Sequence, residues 1–177
     1  MVSLNVVFWL FVVIFAVIGT MRGWAKELLV SFSIILALFI ISVLYTYVDP
    51  LKPFLKGTNS TSFWTQTTIV ALLAFFGYQT PNIPRVGTGK FAREKLQDAL
   101  FGAVLGGFNG YLIMGSIWFF LDQAKYFYDF ISAPVPGTAG GDAAIRLIAL
   151  LPPNWLTIPG VYFAVAISFL FVVVVFI

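Results

Sequence analysis

The chain has 177 residues, of which 60% are hydrophobic, 18% aromatic and 10% charged, against about 45–50% apolar and about 25% charged in an ordinary soluble domain. A water-soluble fold of this length has too little interior to hide so much apolar surface, and the mean hydropathy of +0.99 agrees. With no Cys and no His, thiolate metal sites, iron–sulfur clusters, disulfides, imidazole ligation of haem or pigment, and Ser–His or Cys–His catalytic pairs are all excluded. The net charge of +3 is mild, and in a membrane chain it reports topology and anionic headgroups rather than nucleic acid. The composition predicts an all-α, polytopic helical membrane protein with four to five transmembrane helices, forming a single domain over residues 1–177.

Apolar runs near the 20 residues needed to cross hydrocarbon set the spans. The first covers 4–19 and is nearly pure Val, Ile, Phe and Leu; without a basic start or a small-residue cleavage site it does not read as a signal peptide. The second covers 28–48 and ends at Asp49-Pro50 and Pro53, since proline turns its preceding residue away from helical geometry. The third, 63–78, is short and opens on the polar cluster Thr65-Gln66-Thr67-Thr68. A loop containing Pro81, Pro84, Gly87 and Gly89 follows, and then a short helical piece over Phe91–Asp98 is expected along the membrane interface. The fourth span covers 99–121 and is bracketed by Asp98 and Asp122. Pro134-Val135-Pro136-Gly137 and Gly140-Gly141 form the next loop, with a second interfacial helix expected over Asp142–Leu150. The fifth span covers 155–177, with Pro159 in its first turn. Its last residues, Phe169–Ile177, are unbroken hydrocarbon, so the chain either stops at the membrane surface or belongs to a longer protein.

Orientation follows the basic residues. Arg22, Lys26, Arg85, Lys90, Arg93 and Lys95 lie in the first and third connections, whereas Lys52, Lys56, Lys125 and Arg146 lie in the second and fourth. The positive-inside rule places loops 20–27 and 80–98 in the cytoplasm and the N-terminus outside, in a multi-pass arrangement that inverts downstream if the third span fails to cross.

The sharpest pattern is Gly102, Gly106 and Gly110, one glycine every four residues. Such a stripe lets another backbone approach closely, either from this protein's own spans or from a partner helix or second copy. Asn109 sits beside it, and a carboxamide in lipid is expected to find a partner and fix helix register. Arg22, Glu27, Arg93 and Asp98 predict a small charge network at the cytoplasmic surface, with Glu27 near the positive end of the second helix and Gly23 permitting the reversal. Gly87-Thr88-Gly89-Lys90 lacks the Ser/Thr and first Gly of a phosphate loop. Asn59-Ser60-Thr61 is a glycosylation sequon of consequence only in a secretory pathway that uses it.

Arg22-Gly23 with Glu27 at the start of the second span, and Asp98 with Gly102, Gly106 and Gly110 in the fourth, resemble the colicin V production protein family over about residues 4–121. The resemblance implies a small bacterial inner-membrane protein of about four spans, linked to peptide-toxin export and envelope upkeep, with no catalytic residue to carry over. The matched positions inherit structural importance. The chain departs from the family in having Asn109 where a basic residue is common, a Pro/Gly loop at 81–89, and an added fifth span.

These observations predict a non-enzymatic protein of the bacterial inner membrane that acts through helix–helix packing, most simply an accessory or assembly subunit of a larger complex, respiratory and photosynthetic complexes included. The expected partners are the lipid bilayer and other membrane helices or a second copy, with no cofactor, metal, nucleic acid or soluble substrate. The alternative is a homo-oligomeric transport or export helper whose path is lined by Thr65–Thr68, Asn109 and the glycine face. A membrane enzyme using Glu27, Glu94 and Asp98 is a distant third.

Overall fold

The structure, a computed structural model, describes residues 3–79 and 92–176. Among the described residues every regular element is helical: α1 (Leu4–Arg22), α2 (Trp24–Tyr47), a 3-10 turn (Asp49–Leu51), α3 (Lys52–Leu55), α4 (Ser60–Tyr78), α5 (Ala92–Gln123), α6 (Ala139–Ala149), α7 (Pro152–Trp155) and α8 (Gly160–Phe176). Helices follow from the composition, because a long apolar segment out of water must satisfy its backbone N–H and C=O groups internally. Local chemistry sets several of the ends. The Asn59 side chain accepts from the Ser62 N–H and starts α4, and the Thr138 side chain accepts from the Gly141 N–H and starts α6; both are N-caps of the ordinary kind.

Among the described residues three segments are long and apolar enough to cross a membrane: Leu4–Arg22, Trp24–Tyr47 and Glu94–Gln123. Gly160–Val174 is a shorter apolar helix. The 19 residues of α4 match α1 in length, but Ser60, Thr61, Ser62 and the Thr65–Thr68 cluster dilute its apolarity below that of the other three. It nonetheless runs the height of the bundle, from Gln66 against the Leu55 carbonyl at one end to Tyr78 against Arg22 at the other.

The helix bounds differ from the expected spans in instructive places. The second helix begins at Trp24 rather than near residue 28, because Gly23 alone makes the reversal; Arg22 and Lys26 therefore sit inside helices and not in a connecting turn. The interfacial piece expected over 91–98 is not a separate helix: Ala92–Asp98 continues without a break into α5, since no Gly or Pro interrupts the chain before Gly102. At 32 residues α5 is about 48 Å long, well beyond a hydrocarbon core of about 30 Å. The final span is cut in two. Trp155 ends α7, and α8 starts only at Gly160, after Pro159.

α5 is the central post, flanked by α1, α2 and α4, while α8 leans on α2. Phe8, Val30, Ile34, Val70 and Leu112 form the buried middle. The C-terminus of α1, the N-terminus of α2, the C-terminus of α4 and the N-terminal half of α5 meet at one end; the C-termini of α2 and α5 meet α3, α7 and the N-terminus of α4 at the other.

Candidate functional site

The site is a buried polar knot where α1 turns into α2. Gly23 has φ +84°, a conformation open to glycine at little cost. A Cβ there would also stand 2.8 Å from Asp98 Oδ1. The Asp98 carboxylate, reaching over from α5, accepts the Trp24 backbone N–H at 3.2 Å. It thereby caps the first turn of α2, where the helix dipole favours negative charge.

One turn further in, Glu27 is fully buried. Arg22 Nε donates to Glu27 Oε1 at 2.7 Å. Asn109 Nδ2 donates to Glu27 Oε2 at 2.8 Å and to the Glu27 main-chain oxygen at 2.9 Å. The Ser31 hydroxyl in turn donates to Asn109 Oδ1 at 2.6 Å. Tyr78 closes the far side: its hydroxyl lies 3.5 Å from Glu27 Oε2, its carbonyl accepts from Arg22 Nη1 at 3.1 Å, and its ring lies 4.5 Å beneath the Arg22 guanidinium. Four helices thus contribute to one cluster, in which Arg22 neutralises Glu27. A buried carboxylate is tolerated only with such pairing.

Beside the knot runs the glycine seam, which faces α1. A Cβ on Gly102 would strike the Gly19 carbonyl, one on Gly106 the Phe15 carbonyl, and one on Gly110 would come within 2.9 Å of Phe15 Cβ. Gly19 is the reciprocal notch, since a Cβ there would strike the Gly102 carbonyl. The stripe is therefore covered within the chain and offers no open groove.

The structure joins Arg22, Glu27, Asp98 and Asn109, and sets Gly102, Gly106 and Gly110 directly alongside. The Arg93 side chain lies outside the described residues, as does the Gly87–Lys90 segment. Thr65–Thr68 occupy the opposite end of α4, about 18 Å from Tyr78 along the helix, so Asn109 and the threonine cluster do not line one continuous path. Glu94 is exposed and apart from the knot. Sequence reasoning did not pick out Tyr78 or Gly19, and it reached Ser31 only as one of four scattered serines (Ser31, Ser33, Ser42, Ser116) that could stand at the depth of Asn109. Ser31 carried a signal, standing one turn after Glu27 on the same helix face, and so did Gly19, one turn before Gly23. Tyr78 carried none, because its role depends on how α4 docks.

The Glu27 carboxylate is already shared among Arg22, Asn109 and Tyr78, while Arg22 Nη2 is buried with no hydrogen-bond partner among the described residues. Two cavities elsewhere in the bundle are not lined by Arg22, Glu27 or Asn109. A cavity of about 440 Å³ between the start of α1 and α6 has no charged side chain in its wall. A second, of about 370 Å³, carries Lys56 as its one charged group. Among the described residues no group of three or more acidic side chains could hold a metal ion.

Buried charge pairing inside a bundle of apolar helices defines a polytopic helical membrane protein. The family model for colicin V production protein matches residues 4–128, a little beyond the stretch that carries the motifs, and the chain belongs to that family. No curated protein and no solved structure is detectably similar to it.

Proposed function

We propose that this protein is a non-enzymatic accessory or assembly subunit of a larger complex in the bacterial inner membrane, working through its outer helix faces. The observation that carries this reading is the division of labour between inside and outside. The glycine seam and the Arg22–Glu27–Asn109 knot are spent on holding the chain's own helices together. What remains outward is apolar and aromatic: Trp9, Val13 and Val17 on α1, Phe75 and Phe76 on α4, and Phe101 and Val104 on α5. Partner helices would therefore meet side chains on these faces and not the glycines. Arg22, Lys26 and Lys95 cluster at the knot end of the bundle, which supports placing that end in the cytoplasm.

The transport alternative draws less support, because Asn109 is spent on Glu27 and Ser31 and the Thr65–Thr68 cluster stands about 18 Å along α4 from the knot end of that helix. Gentle detergent extraction of native membranes, native-gel separation and mass spectrometry of the band containing this chain test the proposal. Stoichiometric co-migration with other membrane proteins is the expected result. A lone monomer or homo-oligomer would overturn it.

A further inference from the structure

The second cavity, of about 370 Å³, lies at the end of the bundle opposite the knot. We infer that it is a binding site for one anionic phospholipid, with the headgroup on Lys56 and an acyl chain laid inward along α2 toward Leu38. Its deep wall is mainly apolar, made by Leu38, Ile41, Phe119 and Leu156 with the buried Gln66 beside them, its Nε2 donating to the Leu55 carbonyl, and its mouth carries Lys56 and Asn154. From Leu38 to Tyr45 the lining descends about 10 Å along the helix, so one end of the cleft is oily and the other polar. The volume falls in the range of roughly 300–1,000 Å³ found for small-molecule sites.

Depth and charge choose the ligand class. Tyr47 and Trp64 are exposed around this end of the bundle, as aromatic side chains are at the level of lipid headgroups. Lys56 hydrogen-bonds the Tyr45 hydroxyl and sits 4.8 Å from that ring's centre. The ion pairs among the described residues are Arg22–Glu27 and Asp49–Lys52, so Lys56 is a positioned cation without a carboxylate. Lys52, one turn away, is already neutralised by Asp49. Asn154 gives its Nδ2 to the Ile148 carbonyl at 2.7 Å, leaving its side-chain oxygen for a headgroup hydroxyl. A free phosphate shares the headgroup chemistry but would leave the apolar wall empty. The site is built by a single chain and does not depend on the assembly proposed above.

The test is native mass spectrometry of the purified full chain in mild detergent, titrated with phosphatidylglycerol and with phosphatidylcholine of the same acyl chains. One phosphatidylglycerol is expected to be retained in preference to phosphatidylcholine. Lys56→Gln should weaken that binding about fivefold, the effect of one interfacial cation, and abolish the preference. Lys52→Gln should leave both unchanged. Ser42→Leu, which fills the cleft from α2 without touching the charge, should weaken both lipids together. Equal binding of the two lipids, equal effects of the two lysine variants, or no effect of Ser42→Leu would each overturn the inference. Displacement of the lipid by inorganic phosphate alone would overturn it in favour of a soluble anion.

Discussion

Two helix contacts in this bundle are built on different principles. Where α1 meets α5, glycine meets backbone: Gly19, Gly102 and Gly106 bring the two main chains so close that no Cβ fits between them. Where α8 meets α2, rings meet rings: Phe32 lies 5.9 Å from Phe171 and Phe39 lies 5.6 Å from Tyr162, both edge-on. In lipid, where apolar burial drives no helix association, the first contact draws on dispersion at very short range, and the knot at its end pins its register. The second relies on side chains that can repack. One seam should therefore be brittle and the other forgiving, and thermal unfolding of the purified chain followed by helical circular dichroism can break or sharpen that contrast.

The largest loss is expected for Arg22→Ala. It leaves the Glu27 carboxylate buried with only neutral partners, and breaking a buried pair in this way costs about 3–5 kcal/mol. Arg22→Lys should recover only part of it, since lysine cannot reproduce the donation from Nε together with that from Nη1. Gly106→Ala comes next. Its methyl group would have to push the Phe15 carbonyl aside, and overpacking of this kind costs about 1–3 kcal/mol. Phe171→Leu removes one ring pair from the forgiving seam and should cost about 0.5–1.5 kcal/mol. Smallest of all is Gly107→Ala. A Cβ at Gly107 would meet Ala16 Cβ at an ordinary 3.5 Å, and replacing glycine within a helix by alanine is neutral or favourable. A Gly107→Ala loss as large as that of Gly106→Ala would refute the claim that the seam is specific to one helix face.

Much of this was legible in the residues. The apolar runs dictated helices because a chain out of water has few other ways to satisfy its backbone. The four-residue glycine spacing marked a close approach, and Asn109 stood out as a carboxamide within an apolar span. Arg22, Gly23 and Glu27 pointed to the turn. The family resemblance rested on these same residues. The bounds were less legible. Nothing in the charged stretch 92–98 says whether it lies flat on a membrane or continues the helix, because both leave its polar groups wet.

By itself the sequence determined that the chain is helical, that it belongs with lipid, and which positions are too small or too polar to be ordinary. Tertiary structure alone decided the partners. It chose α1 as the helix that fills the glycine stripe, placed Tyr78 under Arg22 across 56 residues of chain, and left Thr65–Thr68 about 18 Å along α4 from the Tyr78 that joins the knot. The reason is physical. Periodicity and polarity are properties of one segment and are written locally, whereas a contact depends on which segments dock, and a glycine notch or a buried carboxylate accepts any backbone or donor that the fold delivers to it.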